Sequence, residues 1–194
     1  MLRLLTTTAV GVGLLVASPS FAQTTYPNPA ISPAVTAVPK LDQQEKLDQQ
    51  DTNFIKEAAA GGVGEVAFSK MAEKSGNPYV KRFAERMVRD HTKANTELTA
   101  IASKASIEMP KMLDADHQKI HDQLQTIHGT DFDQQYMRVM VNDHDQAVKL
   151  FRQEDSLGRD SRLKQFARKT LPTIEEHHMM AADLSRRLSQ TAAK

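Results

Sequence analysis

Three histidines and one glutamate occupy positions where an apolar residue would complete a helical stripe. Glu65 is in phase with Phe54, Ala58, Gly61, Phe68 and Ala72. His91 is in phase with Val80, Phe83, Met87, Ala94, Leu98 and Ile101. His144 follows Tyr136, Met137 and Met140 and precedes Val148 and Phe151, and His177 lies among Leu163, Phe166, Thr170, Ile174, Ala181, Leu184 and Leu188. Steps of three and four residues place each set on one helix face. An ionisable group on a core-facing stripe is costly unless a partner satisfies it. If four helices meet around one axis, these four residues can satisfy one another. Three imidazoles and a carboxylate also form a ligand set for one divalent transition ion such as zinc, iron, manganese or copper. Helical bundles build such sites from facing side chains. The alternative is a metal-free hydrogen-bond network inside a structural or interaction module of the cell envelope. The residues leave both readings open.

Other candidates rank below this set. Glu175 and His178 have the spacing of one helix face, but that face is not the apolar one. His117 and His121 are spaced like a zinc pair on a polar segment and read as exposed. Asp90 and Asp143 each precede a stripe histidine and read as surface charges, and His128 beside Gly129 reads as a helix end. Met87, Met140 and Met180 lie near the stripe histidines. Thioethers there would favour copper, although methionine is more often a core filler. No nucleophile motif is present, so no catalytic residue is assigned. A redox enzyme on a bound metal would need an open coordination position, which four protein ligands would fill.

The elements that must position the set are long helices. The first is expected from Asp51 to about Ser75, capped by Asp51 or Thr52, with Gly61, Gly62 and Gly64 permitting close approach of another helix. Gly76-Asn77-Pro78 breaks the chain, with Asn77 as cap and Pro78 at the first helical position. The second helix then runs to about Ala105, and a shorter piece over about Leu113–Ile127 follows Pro110. The third helix opens at Asp131 and ends before Gly158; the fourth is capped by Asp160 or Ser161 and contains Pro172, which predicts a kink. Four amphipathic helices with short links predict an all-α, antiparallel four-helix bundle over residues 51–190, with the extra helix between the second and third. The levels match across the first pair: twelve residues separate Glu65 from Asn77 and fourteen separate Asn77 from His91. Across the second pair they match less well, with fourteen from His144 to Gly158 and nineteen from Gly158 to His177.

Composition narrows the function classes. The chain of 194 residues has no Cys and no Trp, and aromatics are 5%. Disulfides, thiolate metal sites and cysteine nucleophiles are thereby excluded. Met1–Ala22 reads as a secretory signal: Arg3, an apolar run over Ala9–Ala17, and Ser20-Phe21-Ala22 before the cut. Its removal takes away one Arg and no acid, leaving 24 basic and 24 acidic side chains from the 25 and 24 of the full sequence. Zero formal charge argues against a nucleic-acid partner. No integral membrane span is expected after cleavage, and the expected location is the periplasm or cell envelope, where an envelope partner remains open. Residues 23–50 hold Pro27, Pro29, Pro33 and Pro39 and then a Gln-rich run, the composition of a flexible linker.

Several of these segments together resemble a known family. Phe54 with Ala58-Ala59, Gly64-Glu65-Val66, Val80-Lys81-Arg82-Phe83-Ala84, Met87-Val88-Arg89-Asp90-His91, Phe132-Asp133 with Tyr136, His144, and Leu171-Pro172 with His177 are similar to the bacterial domain of unknown function 4142 family, over about residues 51–188. The resemblance implies a ferritin-like four-helix fold and export to the periplasm or outer membrane, and its positions coincide with Glu65, His91, His144 and His177. It supplies no activity. The chain departs from the di-iron ferritin pattern, which needs Glu-x-x-His on two helices. Val88 stands where that Glu would precede His91, and no core Glu accompanies His144. A mononuclear site or no metal fits better than two irons.

Overall fold

The computed structural model describes residues 47–192, and these form five helices with no strand among them. The signal expected over Met1–Ala22 and most of the expected linker lie outside the described residues. α1 spans Gln49–Ala72, α2 Pro78–Lys104, α3 Ala115–Gln125, α4 Gly129–Leu157 and α5 Ser161–Ala192.

Local chemistry sets most of the boundaries. Asp48, not Asp51 or Thr52, caps α1 by accepting from the Asp51 N–H, so the helix starts at Gln49, inside the expected linker. Asp51 lies one turn in and is buried. Its carboxylate crosses to the α4–α5 connection and accepts from the backbone N–H groups of Arg159 and Asp160, each at 2.9 Å. Asn77 caps α2 through the Tyr79 and Val80 N–H groups, and Pro78 takes the first position, as expected. Asp114 caps α3 through the His117 N–H. α4 begins at Gly129, two residues before Asp131, because Gly129 adopts a φ of 59° that turns the chain out of α3. Asp160 caps α5 through the Arg162 and Leu163 N–H groups. α5 continues through Pro172 as a single helix.

Side-chain pairs fix the directions of the long helices. Ser69 meets Tyr136 and Gln50 meets Glu154, so α1 and α4 run antiparallel. Arg86 pairs with Glu176 and Glu97 with Lys169, which sets α2 against α5. Asp145 pairs with His178 and Asp155 with Arg168, which sets α4 against α5. With the tight turn between α1 and α2, each long helix packs antiparallel against two others, closing a ring. α3 lies mainly on α1.

The ring encloses two apolar clusters. One includes Phe68, Phe83, Met87, Tyr136 and Met140; the other includes Phe54, Leu98, Phe151, Leu163 and Phe166. Burying each such side chain contributes about 1.5–3 kcal/mol. Along every long helix, one of the four polar stripe residues falls between its contributions to the two clusters. The result is one polar level between two apolar layers. The expected mismatch across α4 and α5 largely closes, since thirteen residues separate His144 from the helix end at Leu157 and sixteen separate Ser161 from His177. The remainder is under one helical turn. No described helix is long and apolar enough to cross a membrane.

Candidate metal centre

α1, α2, α4 and α5 each carry one side chain to this level. Glu65 and His91 are buried with a few per cent of their surface exposed, and His144 and His177 are fully buried. The imidazole centroids form a near-equilateral triangle with sides of 5.2 Å for His91–His177, 5.5 Å for His91–His144 and 5.6 Å for His144–His177. One nitrogen of each ring lies within 4.8 Å of the other two. The structure thus brings together all four residues singled out by the stripe pattern.

Hydrogen bonds fix which nitrogen of each ring faces inward. His144 Nδ1 donates to the Met140 carbonyl at 2.8 Å. His177 Nε2 donates to Asp90 Oδ2 at 3.0 Å, and His91 Nδ1 donates to Glu65 Oε2 at 2.9 Å. Carbonyl and ionised carboxylate oxygens only accept, so these three nitrogens carry the hydrogens. In a neutral ring the other nitrogen then offers a lone pair. For His144 that atom is Nε2, which is buried without a partner. His91 Nε2 and His177 Nδ1 face one another at 3.2 Å. Two bare lone pairs repel at that distance, so a positive centre, either a proton or an ion, belongs between them.

The charges agree with this arrangement. Burial pushes the Glu65 carboxyl up, but the histidines around it, His91 foremost, outweigh burial and hold it at about 2. Burial pushes His91 down, and the Glu65 carboxylate reverses that to a net rise. Burial lowers His144, and lowers His177 to about 4, so these two rings are neutral. Glu65 reaches His144 Nδ1 only at 3.4 Å, and its second oxygen has no hydrogen bond. Its closest contacts are therefore with the outward nitrogens of the histidines.

Several residues contribute that the stripes did not reveal. Asp90 is not a free surface charge; it holds His177 and is itself held by Arg86 Nε at 3.2 Å, while the same guanidinium clamps Glu176 at 2.7 and 2.6 Å. The four-residue step from Arg86 to Asp90 was a visible signal of one helix face. The Met140 carbonyl left no signal, being backbone. His117 and His121 are largely covered rather than exposed. For His117 the cause is Gly64, where a Cβ would collide with its ring, so α3 settles onto α1 and His117 stacks on Phe68 at 6.1 Å. Gly62 likewise admits the Asn95 side chain. Asp143 is half-buried, and burial together with the Glu65 charge raises it to about 6.

The remaining candidates do not join the centre. Glu175 pairs with Arg152 and His178 with Asp145 on the outer face. Met87 and Met140 are buried core, and Met180 sulfur accepts from Arg86. His128 precedes α4 without capping it through its side chain.

Comparison with known proteins sets this geometry in context. The sequence model of a family described as "Domain of unknown function (DUF4142)" matches residues 36–184. No curated protein matches the chain. A DUF305 fragment from Deinococcus radiodurans has a similar solved structure, with a TM-score of 0.61 and 16% identity over 72% of this chain and 98% of that one. CopM, solved in its Cu(II)-bound form, has a TM-score of 0.57 and 17% identity over 71% of this chain and 96% of that one. At these identities the likeness concerns the helical fold.

Proposed function

We propose that this chain, which belongs to the DUF4142 family, holds one divalent transition ion between His91, His144 and His177 inside a ferritin-like, antiparallel four-helix bundle. The observation that carries the reading is the buried, unpartnered Nε2 of His144, in a group of three histidines that each offer one nitrogen within 4.8 Å of the others. Imidazole ligands suit copper, zinc, iron and nickel. The 3.2 Å between His91 Nε2 and His177 Nδ1 is near the separation of two ligands on one tetrahedral ion, about 3.3 Å for bonds of 2.0–2.1 Å. Each ligand ring has its second nitrogen anchored on an oxygen, the arrangement that orients histidines at metal sites. Glu65 fits better as the anchor of His91 than as a fourth ligand, leaving one coordination position open. CopM, whose solved form binds Cu(II), shares the fold and favours copper among the candidate ions. The signal-like Met1–Ala22 supports export to the periplasm or envelope, and metal handling or protection there is the role consistent with one buried ion.

A second reading rests on one feature of the same site. With His91 protonated, its two N–H groups serve Glu65 and His177, and a metal-free network satisfies every imidazole nitrogen but His144 Nε2. Elemental analysis of the purified protein separates the two, beside a His144→Ala variant and after exposure to zinc, iron, manganese or copper. Near-stoichiometric metal in the wild type and its loss in the variant are expected. Wild-type protein that takes up none of these ions would leave the polar level as a structural network.

A further inference from the structure

The polar level does not open equally on all sides. His144 and His177 are fully buried, and the approach past Asp90 is closed by the Arg86–Glu176 clamp. On the side of Glu65 and His91, however, a cavity of about 290 Å³ reaches both residues. Its space exists because small residues from different helices meet there: Ala58 and Gly61 of α1, Ala94 of α2 and Ala147 of α4. The floor is apolar, formed by Leu98, Phe151, Phe166 and Ile174. Apart from the histidines His91 and His117, the ionisable side chains that line the cavity are carboxylates, those of Glu57, Glu65, Asp114 and Asp143, and no Lys or Arg lines it. Two of their oxygens, Glu65 Oε1 and Asp143 Oδ2, are buried without a hydrogen bond, and Glu65 is only 4% exposed.

We infer that this cavity is the route by which the metal ion reaches the three histidines, with Asp143 and Glu65 as successive oxygen contacts. The inference rests on the metal reading of the centre. Walls of one charge sign and low polarity focus the field and raise the local concentration of cations. The apolar floor offers an ion no ligand, and among the lining carboxylates Glu65 is the one in direct contact with His91. His117, held by both oxygens of Asp114 at 2.8 Å, forms part of the rim.

Gly61 makes the route testable. A Cβ at this position meets nothing within 4 Å, so a larger side chain extends into the space without striking a neighbour at its base. The probe is Cu(II) alone, mixed rapidly with full-length wild-type, Gly61→Leu and Asp143→Asn proteins, with uptake followed by the ligand-field absorbance of the bound ion. Gly61→Leu is expected to slow uptake and chelator-driven release by the same factor, tenfold or more, with Kd unchanged. Asp143→Asn, which is nearly isosteric, is expected to slow uptake several-fold and to flatten its dependence on ionic strength. Wild-type uptake rates in both variants, with Cu(II) still bound, would overturn the route and leave the centre standing. A wild-type protein that binds no Cu(II), zinc, iron or manganese would overturn the centre and the route together.

Discussion

Glu65 and Glu154 are both buried glutamates on long helices of the same ring, and their surroundings drive them in opposite directions. Glu65 lies among three imidazoles, which hold its carboxyl at about 2 against the penalty of burial. Glu154 lies where the C-terminal end of α4 meets the N-terminal end of α1, beside Asp51. Burial first, and then the Asp51 charge, raise it to about 7. Asp51 already spends both oxygens on the Arg159 and Asp160 N–H groups, and Glu154 Oε1 has no partner at all. Gln50 reaches the other Glu154 oxygen only at 3.4 Å. Burial alone therefore does not decide the charge of a carboxyl; the partners do. Among histidines the buried acid becomes a fixed anion that organises the polar level. Among acids it becomes a proton holder, set beside the latch by which Asp51 ties the start of α1 to the α4–α5 connection.

Four measurements would break or sharpen this contrast. The largest effect is expected at Glu65. Glu65→Ala breaks the buried pair with His91, leaving its Nδ1–H unpaired in a ring that burial then drives toward the neutral form, and should cost about 3–5 kcal/mol in urea unfolding at neutral pH. A loss under about 1 kcal/mol would mean that no such ion pair operates. At the latch, Gly158→Ala places a Cβ against Glu154 Oε1 and its carbonyl oxygen, and overpacking should cost about 1–3 kcal/mol. A neutral outcome in the same unfolding assay would show that the latch is loose.

Glu154→Gln tests the sign of the comparison. A carboxyl whose value is raised on folding contributes stability that is fully present below its unfolded value of 4.5. That stability is lost as pH rises through about 7. The contribution of this one group should therefore fall between acid and mildly alkaline pH, and the difference between wild type and Glu154→Gln should follow it. At pH values above about 8 the variant should be the more stable by about 1–2 kcal/mol, since it removes a poorly satisfied buried charge. Equal melting profiles for the two proteins would assign Glu154 no proton. The smallest effect belongs to an exposed carboxylate: Arg152→Ala, which frees Glu175 on the outer face, should change stability by less than about 1 kcal/mol.

The legible part of this molecule was whatever a helical period could report. The stripes placed Glu65, His91, His144 and His177 on core faces, and the breaks at Gly76-Asn77-Pro78 and Gly158 divided the helices near their observed ends. Cap identity at α1 was misread because Asp48, Asp51 and Thr52 are all good caps by type, and tertiary contact with the α4–α5 connection drew Asp51 inward. His117 was misread because α3 is polar by composition, while the covering of this ring comes from the missing side chain of Gly64 on another helix.

By itself the sequence determined which residues would lie on one helix face, since the backbone period is a local property that side chains cannot alter. It thereby determined that four polar groups would reach the interior. Only the tertiary structure decided what those groups do for one another. Ring orientation depends on acceptors from elsewhere, Asp90 of α2 for His177 of α5 and a backbone carbonyl for His144. Whether a buried glutamate is a fixed anion or a proton holder likewise depends on what faces it across helices, as Glu65 and Glu154 show. Electrostatic energy in a low-dielectric interior is set by ångström-scale distances between segments far apart in the chain, and those distances exist only once the helices have packed.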